Sequence, residues 1–147
     1  MSKEKYDIVV VGGGHAGVEA SLISSFLGVS VALITMDKNA IARMSCNPAI
    51  GGLAKGQIVR EMDVLGGIMA ETADISGLQF KILNKSKGRA VWSPRAQIDK
   101  RVYERNVLKK IEKSTVSIIQ SEATSIDIRN YKVKSVLLRS GEKINCS

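Results

Sequence analysis

With 147 residues, 44% of them hydrophobic and 24% charged, the chain fits one folded domain with a sizeable core and has the composition of a soluble globular protein. It has no apolar run near the ~18 residues of a membrane span, no signal-peptide core, and only two cysteines, Cys46 and Cys146, without a spacing pattern, which argues against a membrane protein and a disulfide scaffold and makes a reducing cytoplasm the default expectation. The formal net charge is +8, and residues 81–113 account for all of it: eleven Lys/Arg against three Asp/Glu, while the remainder balances at eleven against eleven.

In chain order, residues 6–12 read as a buried parallel strand, because the apolar run is continuous rather than alternating. It feeds into Gly12-Gly13-Gly14-His15-Ala16-Gly17, and a helical pattern over 15–27 follows, with Gly28 as its stop. A G-x-G-x-x-G string between a strand and a helix is the context of a dinucleotide site. Gly12 is expected to make the tight turn, Gly14 to let a pyrophosphate approach the backbone, and Gly17 to let helix and strand pack closely. The helix N terminus then offers free N–H groups and the positive end of its dipole. Ser30 to Thr35 reads as the second strand. Where an acidic residue would meet a ribose, the chain has Thr35-Met36, with Asp37 one step on, either a ribose ligand or the start of a loop.

Residues 38–51 read as a loop containing Ser45-Cys46-Asn47-Pro48. A helix is expected over 53–65, with Leu53, Ile58, Met62 and Leu65 as an apolar stripe, and another over 75–85, broken at Ser86-Lys87-Gly88-Arg89. Ser93-Pro94 reads as an N-cap and first helical position, opening a helix to about Lys113 with Tyr103, Val107 and Ile111 on one face. Strands are expected at 116–120, 125–129, 132–139 and 142–146, the last two joined around Ser140-Gly141. The chain stops after a strand-like segment with no further strand–helix unit, so it is expected to be the front part of a longer protein.

Other groups admit two readings each. Gly51-Gly-Leu-Ala-Lys-Gly56 fails the triphosphate-loop pattern, since Lys55 precedes the last glycine and no Ser/Thr follows; Lys55 either neutralises a phosphate or faces solvent. Cys46, just before an expected helix, is either an activated thiol or a small inert side chain. Cys146 reads as structural. His15 is the only histidine and no cluster has metal-ligand spacing, so no metal is expected. The basic stretch is either a solvated face or a footprint for a polyanion, with Trp92 and Tyr103 as the aromatics able to stack.

Several blocks, in order, carry a more specific signal: the glycine loop, Met44-Ser-Cys-Asn-Pro-Ala-Ile-Gly-Gly52, Lys55-Gly56, Asp63-Val-Leu-Gly-Gly67, Gln79-Phe-Lys-Ile-Leu-Asn-Lys-Ser-Lys-Gly88 and Arg95-Ala-Gln-Ile-Asp99. Together they resemble the MnmG/GidA family, the tRNA uridine 5-carboxymethylaminomethyl modification enzymes, from residue 6 to about 146. The resemblance implies an α/β, Rossmann-like FAD-binding fold of the glutathione-reductase type, with residues 1–147 as its N-terminal part. It implies modification of tRNA wobble uridine at C5 with the GTPase MnmE, methylenetetrahydrofolate as carbon donor, NADH as reductant, and a homodimer. It assigns residues 12–17 to the FAD pyrophosphate, the backbone near Ala123 to the adenine, and Cys46 to covalent chemistry near the flavin. Lys87, Arg89 and Arg95 become the phosphate-contact candidates for tRNA. Family members are several times longer, and Cys146 does not match their second cysteine. Three alternatives stand beside this. One is the folate- and FAD-dependent tRNA uracil methyltransferase TrmFO, against which the Ser45–Pro48 block argues. Another is a flavin disulfide reductase, which needs a C-x-x-C or C-x4-C near Cys46 that is absent. The third is a fragment that binds dinucleotide without turnover.

Overall fold

A computed structural model describes residues 5–146. In chain order it contains β1 (Lys5–Tyr6), β2 (Ile8–Val11), α1 (His15–Phe26), β3 (Val31–Thr35), β4 (Ala49–Gly51), α2 (Lys55–Val64), α3 (Met69–Ile75), β5 (Gly77–Leu83), β6 (Ser93–Ile98), α4 (Lys100–Glu112), β7 (Ser117–Gln120), β8 (Ala123–Arg129), β9 (Lys132–Leu138) and β10 (Lys143–Cys146). Short 3-10 turns cover Lys38–Ala40, Lys85–Lys87 and Arg89–Val91. Two compact units result, one from the segment up to Ala42 with the segment from Lys110, the other from Arg43–Lys109.

The first unit holds two sheets. β2, β3 and β7 are parallel in the order β2-β3-β7, with Val11 opposite Ile34 and Ile34 opposite Ile119. β3 is buried on both faces, as its continuous apolar run requires. The second sheet, β1-β10-β9-β8, is antiparallel except for the β1–β10 pair. Tyr6, Ala32, Ile34, Val136, Leu138 and Ile144 form a buried cluster joining the two sheets, with Val9, Ile119 and Ala123 packed against it. Burying those side chains is the main favourable term for this unit. α1 packs on the parallel sheet, with Val18 and Ser21 buried.

The second unit is built on the antiparallel sheet β4-β6-β5 with α2 and α3. Here several expectations fail. The segment 75–85 is mostly strand: Leu78, Phe80 and Ile82 alternate with Gln79 and Lys81, a period of two rather than 3.6. Ser93-Pro94 opens β6, not a helix. Ser93 Oγ donates to the Gly52 carbonyl at 2.7 Å, and the Pro94 carbonyl accepts from Gly52 N at 2.8 Å. α4 instead begins at Lys100, capped by Asp99, whose Oδ1 accepts from Arg101 N at 2.9 Å and Val102 N at 3.0 Å. From there Tyr103, Val107 and Ile111 are buried, as their i, i+4, i+8 spacing predicts.

The stripe on α2 does not form a core face. Leu53, Ile58 and Leu65 are exposed, because the packed face is set by Gly56, which lies against Pro94 of β6. α3 falls largely between the two expected helices, where the sequence assigns no element, and β4 falls within the expected loop over 38–51.

Candidate functional site

Gly12 leaves β2 with φ +106°, a conformation that a β-carbon would strain, while its N–H still donates to the Ile34 carbonyl at 2.8 Å and completes the parallel ladder. Gly13 is wedged: a β-carbon there would lie 3.0 Å from Thr35 Oγ1 and 3.1 Å from Ile41 Cγ1. Its carbonyl accepts from Ala42 N at 2.8 Å, so the segment after β3 is fastened to the loop. Gly14 is the N-cap of α1 with extended backbone, φ −71° and ψ 178°, and nothing lies within 4 Å of where a side chain would start. Gly17 is closed: a β-carbon would run into the Gly12 carbonyl oxygen. The Gly14 carbonyl accepts the first helical bond, from Val18 N at 2.9 Å.

No side chain caps α1, and no carboxylate lies in its first turn. The first N–H groups of a helix lack intrahelical partners, and among the described residues no side chain caps those of α1. These features fit a diphosphate: open backbone at Gly14, a positive dipole end and no repelling acid. His15 is half-buried and Ala16 exposed within the same turn. Ala123 starts β8, just beyond the third parallel strand, and is partly buried against the core cluster. Asp37 begins the 3-10 turn, its Oδ1 accepting from Asn39 N at 2.9 Å, so one of its oxygens has a local capping role.

Cys46 is exposed and lies in irregular chain. The element after it is β4, not a helix, so the expected helix N terminus beside the thiol is absent. What holds this segment is α4. Lys100 Nζ donates to the Cys46 carbonyl at 2.8 Å, and Met44 N donates to Glu104 Oε1 at 3.1 Å. Neither residue is signalled by spacing, because their partners lie 54 and 60 positions away in the chain.

The glycines of Gly51–Gly56 serve packing. A β-carbon at Gly51 would strike the Pro94 carbonyl, and one at Gly56 would lie 2.8 Å from the same oxygen. Lys55 is exposed at the start of α2.

The phosphate candidates are distributed over strand and turns rather than one helix. Lys87 and Arg89 are exposed in the two 3-10 turns, and the Arg89 guanidinium stands 5.8 Å from the Trp92 ring centroid. Arg95 lies in β6 directly opposite Lys81 of β5. Like charges facing across a sheet destabilise it unless an anion lies between them. Lys81 and Arg95, with Arg60, Lys85 and the carboxylates Asp63 and Asp74, also edge an apolar cavity of about 750 Å³. Trp92 is half-buried and donates to the Lys85 carbonyl at 3.2 Å. Tyr103 is buried and so offers no stacking face. Among the described residues no cluster could hold a metal ion, and no helix is long and apolar enough to cross a membrane.

A parallel strand turning through glycines into an uncapped helix, with a second parallel strand beside it, defines a Rossmann-like α/β fold of the dinucleotide-binding class. The chain belongs to the family of glucose inhibited division protein A (GidA), whose sequence profile matches residues 7–147. A relative from Endomicrobium trichonymphae, named tRNA uridine 5-carboxymethylaminomethyl modification enzyme MnmG, is 49% identical over 143 residues, covering 97% of this chain and 24% of that protein. One of the same name from Chlorobium phaeobacteroides is 52% identical over 140 residues, covering 95% and 22%. The structure of Aquifex aeolicus GidA superposes with a TM-score of 0.95 at 44% identity, covering 99% of this chain and 24% of that one. The chain thus spans about a quarter of the length of the relatives it matches.

Proposed function

We propose that this chain supplies the FAD-binding, N-terminal part of an enzyme that adds a carboxymethylaminomethyl group to C5 of tRNA wobble uridine. The observation that carries this is the open, uncapped start of α1 at Gly14, in a chain about half identical to proteins named for that modification. In this reading the amides of Gly12, Gly13, Gly14, His15, Ala16 and Gly17 hold the FAD pyrophosphate, and the backbone at Ala123 meets the adenine. Bound FAD supplies redox and one-carbon chemistry that side chains lack. NADH serves as reductant and methylenetetrahydrofolate as carbon donor.

Cys46 is the nucleophile candidate. Its exposure suits a thiol that must reach a substrate, and the two bonds from α4 hold its segment in place. Lys87, Arg89 and Arg95 contact tRNA phosphates, favoured by the crowding of Arg95 against Lys81. In this reading the whole enzyme works in the cytoplasm as a homodimer and together with the GTPase MnmE.

The test is FAD uptake by the purified chain, followed by flavin absorbance and by quenching of FAD fluorescence. Stoichiometric uptake is expected. A folded protein that takes up no FAD overturns the cofactor reading for this chain. In the full-length enzyme, Cys46→Ser is expected to abolish wobble-uridine modification, and near-normal turnover removes Cys46 from the chemistry.

A further inference from the structure

The β8–β9 hairpin closes through two residues, Asn130 and Tyr131, between the facing pair Arg129 and Lys132. Both have positive φ, 51° and 59°, the backbone of a tight hairpin turn whose second position favours glycine. This chain places tyrosine there instead, and the ring is fully exposed at the tip. An aromatic side chain held in solvent, on backbone that disfavours it, gains nothing from the fold itself.

The surface beside it is basic. Lys5, Asn145, Ser135 and Asp127 form one row across all four strands of this sheet, since Lys5 faces Asn145, Asn145 faces Ser135, and Ser135 faces Asp127. The opposite face carries the core side chains Tyr6, Ile144 and Val136. A shallow concavity of about 710 Å³ lies here, lined by five cations, Lys5, Arg129, Lys132, Lys134 and Lys143, against the single carboxylate of Asp127. That carboxylate is taken by Arg129, Nη2 to Oδ2 at 3.1 Å. Lys132, Lys134 and Lys143 take part in no ion pair among the described residues. This surface lies outside the 81–113 stretch, and overall charge balance conceals it.

We propose that this hairpin face binds unpaired RNA, with Tyr131 stacking on a base and Lys132, Lys134 and Lys143 meeting the phosphates. Lysines in a groove track the backbone, and an exposed ring gives a sequence-tolerant platform for any base. A single ring at a tip can stack only on an unpaired base, which selects a loop or single strand over a duplex. The proposal rests on the reading of tRNA as substrate and adds a second contact surface to it.

The experiment measures binding of fluorescein-labelled oligouridylate, 12 nucleotides long, to the 147-residue protein across a salt series. An RNA duplex of equal length and polyglutamate are the comparison probes. Tyr131→Gly, which suits the turn and preserves the fold, is expected to weaken oligouridylate binding about tenfold or more, while Tyr131→Phe stays within about twofold of the parent. The triple variant Lys132→Ala/Lys134→Ala/Lys143→Ala is expected to lower the log–log salt slope by roughly 2. Unchanged affinity and slope in these variants overturn the proposal. So does polyglutamate displacing the RNA with no effect of Tyr131→Gly, which assigns the face to an acidic protein. If the parent binds RNA, the hairpin variants bind equally, and Lys87→Ala/Arg89→Ala/Arg95→Ala weakens binding, only the hairpin fails. If the parent binds no RNA, the tRNA reading fails with it.

Discussion

Gly17 lies directly against the carbonyl oxygen of Gly12, so the helix start and the strand exit touch through backbone alone. Because that oxygen belongs to backbone, it cannot swing aside. Gly17→Ala must therefore shift α1 away from β2, with an expected loss of about 1–3 kcal/mol, the usual cost of overpacking. Gly14 contrasts with it: a methyl there meets open space at ordinary φ. Gly14→Ala is expected to cost no more than about 1 kcal/mol, the scale of an N-cap exchange. The same methyl would project where a pyrophosphate approaches, so FAD affinity should fall about tenfold. Urea melts and FAD fluorescence titrations separate the two glycines. A Gly14→Ala protein that binds FAD like the parent places the diphosphate elsewhere.

Asp7 and Ser30 tie the entrance of β2 to that of β3. The Asp7 Oδ2 accepts from Ser30 Oγ at 2.6 Å and Ser30 N at 2.8 Å. The Ser30 hydroxyl, then its amide, hold the Asp7 carboxyl below its ordinary value of 3.8, with Lys5 adding to the shift and desolvation opposing it. A carboxyl lowered by folding stabilises the native state above its unfolded pKa and loses that contribution as pH falls through the lower folded value. Stability should therefore drop between about pH 4 and the folded pKa. In Ser30→Ala the Asp7 carboxyl should titrate closer to 3.8, with a weaker acid dependence of the urea midpoint. An NMR titration of Asp7 that is identical in parent and variant contradicts the assignment.

The parallel unit was legible because its signals are local: a continuous apolar run, glycines at fixed offsets, then a helical period. The second unit was not, because its determinants lie far apart in the chain. Ser93-Pro94 has the chemistry of a helix start, yet the Ser93 hydroxyl has a partner at Gly52, forty-one residues earlier. The Pro94 carbonyl points toward Gly52, so the missing Pro94 N–H leaves no donor absent from the β4–β6 ladder, whose last pair is Gly51 with Arg95. Asp99, six residues on, is the true cap. The strand over 77–83 carries its own signal, since Leu78-Gln79-Phe80-Lys81-Ile82 alternates strictly, and that period of two outweighs the helix expected over 75–85. Of the site, the glycine loop was plain from spacing, and the family blocks pointed to Cys46. Its supports on α4 and the aromatic tip at Tyr131 depend on pairing that spacing does not reveal.

Ser93 is fully buried, and its hydroxyl lies 2.7 Å from the Gly52 carbonyl and 3.2 Å from Gln57 Oε1. Ser93→Ala removes the donor, but the Gly52 carbonyl still accepts from Gly56 N at 2.8 Å, so the expected cost is that of one net hydrogen bond, about 0.5–1.5 kcal/mol. Ser93→Thr keeps the hydroxyl but adds a methyl in a tightly packed position. The alanine variant should retain FAD binding, because the loop at residues 12–17 does not use this bond. A thermal melt of Ser93→Ala within about 1 °C of the parent shows that the hydrogen bond contributes nothing net.

Lys100 and Glu104 stand one helical turn apart and grip the segment 44–46 from both ends, one by donating to a carbonyl and the other by accepting from an amide. Two bonds of opposite polarity fix the direction of the chain as well as its position, which an exposed segment lacks by default. Hydrogen bonds to charged groups are worth more than neutral ones, though solvent exposure reduces the gain here. Glu104→Ala is expected to speed amide exchange at Met44 about tenfold, the equivalent of about 1.4 kcal/mol. Lys100→Met should loosen Cys46 and Asn47, with Lys100→Arg restoring most of the protection because the guanidinium still donates. The β4–β6 ladder serves as the internal control and should keep its exchange rates in every variant. If α4 only happens to lie near this segment, exchange at residues 44–47 will be the same in the parent and all three variants, and Cys46 will owe its placement to β4 alone.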